Sequence, residues 1–408
     1  MSKPSPPPPP PRHILRSHSS TVTTLFISLY NERIYSGDGS GFVVSTSTRT
    51  LRPISSWKAH NDGLLGVQEW GTNIITYVAF NLILGGTIYT KGCRQGRDNK
   101  LRVWLRVEEL PGIGGSAALS ESPIPVVQYS MDVNALNYCR FSLMPLPPND
   151  SMAGSSSKDQ SNEALIALPN LVESSEADIW FLPSCNRVHA AIGKQESNGP
   201  ILSTDGRGNQ ATGIIMSLHL YKRDDVLRIL IAYESGSVVL REFVKSDRTT
   251  SVEGLGWRVL WKVKLHAEAI MAMAVTNDNS MALTVSADHL IGRYDLSSFV
   301  AETHRTNHPG NGAVAIRDDG RVCAVGGWDG RIRLYSTKSF KPLGALKYHK
   351  NGCQAIAFAR TLSAHQADED EDEDGMSKQE MEERSRWLIG GAKDKLTTIW
   401  SLMAFNRT

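Results

Sequence analysis

Four short segments of this chain obey one grammar, and that grammar leaves few folds open. Gly96-Arg97-Asp98-Asn99-Lys100-Leu101-Arg102-Val103-Trp104, Ser286-Ala287-Asp288-His289-Leu290-Ile291-Gly292-Arg293-Tyr294, Gly327-Trp328-Asp329-Gly330-Arg331-Ile332-Arg333-Leu334-Tyr335 and Ala392-Lys393-Asp394-Lys395-Leu396-Thr397-Thr398-Ile399-Trp400 each set an Asp in a turn, then an alternating strand that meets an aromatic six positions on. An Asp carboxylate accepts from nearby backbone in a tight turn, and alternation turns the apolar residues to one side of a strand. The unit is a hairpin. Short apolar runs upstream, such as Ile74-Ile75-Thr76, Ala282-Leu283-Thr284-Val285 and Val322-Cys323-Ala324-Val325, supply the preceding strand.

Weaker copies follow once the template is fixed. They run through Ile34-Tyr35-Ser36-Gly37-Asp38-Gly39-Ser40-Gly41, through Leu165-Ile166-Ala167-Leu168 to Ala177-Asp178-Ile179-Trp180, and through Leu230-Ile231-Ala232-Tyr233-Glu234-Ser235-Gly236. With Ser40, Asp98, Ser174, Ser235, Asp288, Asp329 and Asp394 as anchors there are about seven units, spaced by roughly 59 residues, wider than the usual 40 to 45 of such repeats. Insertions account for the excess.

His18, His60, His266 and His349 stand where WD repeats carry their Gly-His dipeptide, and Trp104 and Trp400 where the terminal Trp falls. The pattern resembles a WD40 protein. What the resemblance implies is an all-β, seven-bladed WD40 β-propeller over residues 13–408, behind a disordered Pro-rich tail at 1–12. In such blades a His, a strand hydroxyl, the turn Asp and the aromatic can bond as a set. His60, Thr76, Asp98 and Trp104 fit best; His266, Thr284 and Asp288 fit with Tyr294 in place of Trp; Asp329, Tyr335, His349, Asp394 and Trp400 are further candidates. Because these residues recur with the repeat, they read as architecture and not as a catalytic pair or a metal site. The last unit stops at Trp400-Ser401-Leu402 after its third strand, so its fourth is expected from His13-Ile14-Leu15-Arg16-Ser17-His18, which closes the ring and removes an open edge.

Insertions are expected at 77–95, 149–162, 194–210 and 361–386. The first is apolar where an exposed loop should be polar. It interrupts an otherwise ordinary repeat and reads as a translated intron. The last contains seven adjacent carboxylates at 368–374, which repel one another, so the whole segment is expected to be exposed and flexible. It could attract a basic partner such as a histone tail.

Little chemistry is signalled. The 408 residues carry 44 Lys plus Arg against 42 Asp plus Glu, a net charge of +2 that offers no broad field for nucleic acid. Five dispersed cysteines without a C-x-x-C pair read as reduced thiols of an intracellular protein. No phosphate-binding loop, H-E-x-x-H or G-x-S-x-G motif occurs. No apolar run is long enough to span a membrane as a helix, and the proline run at the start lacks the apolar core of a signal peptide. The expectation is a protein that is not an enzyme, with no cofactor, metal, small-molecule substrate, membrane or direct nucleic-acid contact, binding other proteins through its rims.

The ordered set Pro11 to His18, Trp57-Lys58-Ala59-His60, Asn134-Ala135-Leu136-Asn137-Tyr138-Cys139 and Gly326-Gly327-Trp328-Asp329-Gly330 resembles the fungal ASTRA-associated protein 1 family. That resemblance implies a nuclear, non-catalytic scaffold subunit of the ASTRA complex, linked to chromatin remodelling. The implied partners are RuvB-like AAA ATPases, Tel two-interacting co-chaperones and phosphatidylinositol-3-kinase-like kinases, in whose assembly and maturation it would assist. Two alternatives stand beside it. One is a WD40 substrate receptor of a cullin-type ubiquitin ligase or a histone-binding module, although the Trp-Asp-x-Arg that a receptor wants after a blade's third strand is not supplied by Trp104-Leu105-Arg106, Tyr294-Asp295-Leu296-Ser297 or Trp400-Ser401-Leu402. The other is a propeller hydrolase, which would need a unique metal or nucleophile cluster at the channel mouth.

Overall fold

Each repeat folds into a four-stranded antiparallel sheet, as two hairpins in succession must when every strand alternates and every connection is short. The structure is a computed structural model that describes residues 8–78, 98–108, 123–147, 163–194, 212–244, 253–308, 310–361 and 376–403.

Strand β1 (His13–Leu15) opens the chain. The first complete blade is β2 (Val22–Ile27), β3 (Arg33–Asp38), β4 (Phe42–Ser47) and β5 (Pro53–Lys58); the second is β6 (Leu64–Trp70), β7 (Asn73–Val78), β8 (Lys100–Leu105) and β9 (Val126–Asp132). The third comprises β10 (Ser142–Pro145), β11 (Ala164–Pro169), β12 (Ala177–Leu182) and β13 (Asn186–Ile192). The fourth holds β14 (Ile215–Arg223), β15 (Val226–Tyr233), β16 (Ser237–Phe243) and β17 (Trp257–Lys264). The fifth has β18 (Ile270–Val275), β19 (Met281–Ser286), β20 (Leu290–Asp295) and β21 (Ala301–Arg305), and the sixth β22 (Asn311–Ile316), β23 (Val322–Gly327), β24 (Arg331–Ser336) and β25 (Pro342–Lys347). The seventh is composite: β26 (Cys353–Phe358), helix α1 (Lys378–Ser385) in the connection, β27 (Trp387–Ala392), β28 (Thr397–Ser401), and finally β1.

The first strands of the blades stand side by side as the inner wall of a ring. Contacts run from β2 to β6, from β10 through β14, β18 and β22 to β26, and from β26 back to β2. Between the second and third blades, Phe141 lies edge-on to Tyr77 at 6.2 Å and fills the space that Gly66 leaves free. Apolar residues from facing sheets bury one another in wedge-shaped cores. Val22, Ile34, Ala355, Trp387 and Ile399 fill the seam between the last blade and the first. The seven-bladed β-propeller closed by an N-terminal strand is therefore present: His13 pairs with Ile399, Ile14 with Thr398 and Leu15 with Thr397.

Three boundaries differ from the sequence reading. Tyr77 and Val78 do not belong to an insertion; they end β7, where Tyr77 pairs with Leu101 and Val78 with Leu64, and both are fully buried. Their apolar character is that of the core. Residues 79–95 of the expected insertion, with the intron question, lie outside the described residues, as do Cys93, all of 149–162 and all but Lys194 of 194–210. The Pro-rich tail ends earlier than residue 12, because the Arg12 backbone N–H donates to the Ile399 carbonyl at 2.7 Å and its guanidinium meets Glu383 at 2.7 Å.

Within 361–386, residues 377–386 are ordered structure and not a loose loop. Ser377 caps α1 by accepting from the Glu380 N–H, while the Glu380 carboxylate accepts from the Ser377 N–H at 3.1 Å. That is a capping box. Arg384 lies buried, donates from Nε to the Thr48 carbonyl at 3.2 Å and rests over the Trp387 ring, so the helix is pinned to the first blade. The acidic run itself is outside the described residues.

Candidate functional site

A ring of this kind offers two faces, and the repeat motifs fix one of them. On that face the loops entering each inner strand meet the turns between the second and third strands. In the fifth blade His266 Nδ1 lies 2.9 Å from the Asp288 carboxylate and Nε2 lies 2.8 Å from Thr284 Oγ1, which in turn meets the Tyr294 hydroxyl at 2.9 Å. All four side chains come together. Asp288 also accepts from the N–H of Leu290 at 3.0 Å and of Ala267 at 3.3 Å, so one carboxylate ties the hairpin turn to the incoming loop.

The second blade repeats the arrangement. Trp104 Nε1–H donates to Thr76 Oγ1 at 2.9 Å, and the Thr76 hydroxyl is 2.7 Å from His60 Nε2. Indole can only donate, so Thr76 Oγ1 accepts from Trp104 and keeps a lone pair and its hydrogen for His60 Nε2, while Nδ1 faces Asp98. That carboxylate is 3.3 Å away and not aligned for a hydrogen bond, because Arg102 also draws on it at 3.0 Å. Burial, opposed by the Asp98 charge, lowers the His60 pKa to about 4.

In the seventh blade Gly390 occupies the strand position where Thr76 and Thr284 stand, and no hydroxyl is available there. Thr398, directly opposite Gly390, supplies it: His349 Nε2 to Thr398 Oγ1 is 2.8 Å and Nδ1 to Asp394 is 3.0 Å. Trp400 packs edge-on to His349 at 6.0 Å, and among the described residues its indole nitrogen has no hydrogen-bond partner. The fifth blade holds the reverse pair, Thr284 opposite Gly292, where a Cβ on Gly292 would sit 2.6 Å from Thr284 Oγ1. Asp329 of the sixth blade has no histidine; Arg333 takes its carboxylate at 2.6 Å, and Tyr335 pairs across to Cys323 away from it.

A further set escaped the sequence reading. His18 meets Asp38 at 2.9 Å through Nδ1 and Ser36 at 2.7 Å through Nε2. Burial acts to raise the Asp38 carboxyl, but bonds from His18, Ser40 and the Phe42 N–H outweigh it and hold the pKa at about 2. The Asp stands two positions before Ser40, the residue that matches the repeat anchor, and Gly37-Asp38-Gly39 was its only signal. Thr284→Val should cost about 2 kcal/mol, because it leaves the buried His266 Nε2 and the buried Tyr294 hydroxyl unpaired; urea unfolding measures it.

The opposite face opens into a cavity of about 1170 Å³ at the channel mouth, bordered by Leu29, Tyr30, Trp70, Leu143, Met144 and Arg360. Beside it a chain of charges is already satisfied. Tyr35 O–H donates to Glu69, Arg106 bridges Glu69 at 2.9 Å and Glu108 at 2.7 Å, and Arg33 meets Glu108 at 2.8 Å. Burial and the Glu69 charge both push the Tyr35 hydroxyl pKa up. No group of three or more His, Cys, Asp or Glu able to hold a metal ion occurs among the described residues.

One buried base titrates in isolation. His189 sits among Phe243 at 4.6 Å and Trp257 at 5.3 Å, and burial lowers its pKa to about 4. Unfolded, it would titrate near 6.5, so between pH 6.5 and about 4 the unfolded chain binds a proton that the folded chain refuses. Stability should therefore fall as pH drops through that window and level off below it, by about 2 kcal/mol between pH 7 and pH 5. Urea midpoints across pH read the slope, and His189→Phe should reduce it by this amount, leaving the part that His60 contributes through its own lowered pKa.

Seven four-stranded blades about one axis, fastened by His, hydroxyl, Asp and aromatic sets at the turns, define a WD40-repeat β-propeller; the family described as WD domain, G-beta repeat matches residues 303–336. The particular likeness is to proteins named ASTRA-associated protein 1, as the ordered motifs anticipated. The chain is 29% identical to that of Verticillium alfalfae over 97% of this chain and 94% of the relative, and 27% identical to that of Schizosaccharomyces pombe over 85% and 92%. It is also 24% identical to the guanine nucleotide-binding protein subunit beta-like protein 1 of Mus musculus over 97% of each. The chain is thus a WD40-repeat propeller similar to proteins of the ASTRA-associated type, and both the ring and the names of its relatives point to a protein-binding scaffold.

Proposed function

We propose that this protein is a non-catalytic scaffold subunit of an ASTRA-type complex in the nucleus, serving chromatin remodelling and the maturation of phosphatidylinositol-3-kinase-like kinases. The observation that supports the reading is a likeness to ASTRA-associated proteins that runs through almost the entire length of both chains, so that the ring as a whole, and not one shared repeat, is what resembles. Its partners would be RuvB-like AAA ATPases, Tel two-interacting co-chaperones and the kinases themselves. The physical contribution is positional. Turns tied by buried carboxylates hold several loops at fixed separations, so partners docking on different blades meet at a set geometry without each ordering its own loop.

The test is affinity purification of the tagged chain from nuclear extract with mass spectrometry. Recovery of RuvB-like ATPases together with a Tel two-interacting protein is expected. Recovery of neither overturns the assignment.

A further inference from the structure

The inner wall carries a feature that no single repeat reveals. Six inner strands skip one residue of the ladder at their second position: Thr23, Leu65, Met216, Met271, Gly312 and Gln354 are bulged out of register. Each follows a buried residue and is itself at least partly exposed. In the third blade Cys139 holds the buried place, which makes Arg140 the seventh of the series. Bulges re-aim side chains. Here they line one mouth of the channel as a collar, and Arg140 proves the placement: its Nη2 reaches the carbonyls of Thr23 at 3.2 Å and Gln354 at 3.5 Å, both collar residues of non-adjacent blades.

Arg140 is the one charge in the collar. Among the described residues no carboxylate pairs with it, and the other donors of its guanidinium fork have no protein partner. The side chain is exposed to the channel, so an incoming group can reach it. A guanidinium remains charged, and its fork matches a planar carboxylate. Elsewhere the collar and its rim are mostly apolar. Met271 is 40% exposed, and Trp328, 48% exposed, lies on a seat of glycines: a Cβ on Gly310 would be 2.6 Å from its ring and one on collar residue Gly312 would be 3.2 Å from its Nε1.

We propose that this collar receives an acidic side chain, Asp or Glu, from an extended segment of a partner protein, with Arg140 taking the carboxylate and Met216, Met271 and Trp328 the flanking apolar residues. A doubly charged phosphoryl group would call for more than one cation, and the collar offers one. The proposal deepens the scaffold reading by naming a docking mouth and the chemistry it selects.

Random twelve-residue peptides displayed on phage and panned on the intact chain test it. Enrichment of an Asp or Glu at a fixed position beside apolar residues is expected, with at least tenfold weaker binding after acid-to-amide exchange in the peptide or after Arg140→Gln in the protein. Met271→Ala should weaken binding severalfold, and an unchanged melting temperature in each variant excludes unfolding as the cause. No enriched peptide, no acidic position, undiminished binding to Arg140→Gln, or tighter binding of a phosphoserine peptide each overturns it. Arg140→Gln that still recovers the ATPases from nuclear extract separates failure of this mouth from failure of the assembly reading.

Discussion

A chain that begins at residue 16 should melt about 10 °C lower than the full chain and should self-associate. The truncation removes β1, and with it the three paired residues on β28, the Arg12 backbone bond to Ile399, the Arg12 to Glu383 ion pair and the His13 ring lying 6.1 Å from Trp387. Leu15 also leaves the seam core around Val22 and Ile399. Several kcal/mol of burial and pairing go together, because ring closure couples them. The β28 edge then lies open, with its unpaired N–H and C=O groups free to recruit another chain. Differential scanning calorimetry and light scattering read the two effects, and a synthetic peptide of residues 8–20 added in trans should reverse both. A truncated chain that melts with the full one would show that β1 decorates the ring without closing it.

The second large effect is expected at Tyr77. Tyr77→Ala should destabilise by about 3 to 5 kcal/mol, the range for removing a buried aromatic ring. The side chain is fully buried in the core shared by the second and third blades, edge-on to Phe141. Among the described residues its hydroxyl has no hydrogen-bond partner, and burial pushes its pKa well up, so Tyr77→Phe should be neutral or mildly stabilising. Two deletions sharpen the point. Removing 79–95 keeps Tyr77 and Val78 in β7, whereas removing 77–95 takes both; chemical denaturation should place the second several kcal/mol below the first. Equal stabilities would return Tyr77 to the insertion.

Much of the architecture was legible because WD turns are written in short range. Asp98, Asp288 and Asp394 each stand in the turn that the pattern assigned, with their histidines at hand. Where the repeat moves a function between positions, the linear pattern misleads. Ser40 matches the anchor position, yet Asp38 binds His18 and receives Ser40 itself at 2.7 Å. Thr398 serves His349 from across the hairpin because Gly390 cannot, and nothing in the order of residues announces the exchange. Helix α1 could have been found, since Ser377-x-x-Glu380 is a capping pattern, but the neighbouring acidic run drew the whole segment into one loop. The collar was beyond reach. Thr23, Arg140 and Gln354 are more than a hundred residues apart and meet only when the ring closes.

That the seventh blade borrows its outer strand from the other end of the chain also sets an order of events during synthesis. His13, Ile14 and Leu15 leave the ribosome more than 380 residues ahead of Thr397, Thr398 and Ile399, their partners. At about 5 to 20 residues per second, the opening segment waits tens of seconds with no place to pair. The circle therefore stays open until Thr397 to Ile399 have emerged. Until then the nascent chain is an unfinished arc, and a factor that shelters His13 to Leu15 during that interval would govern how much of it reaches the native state.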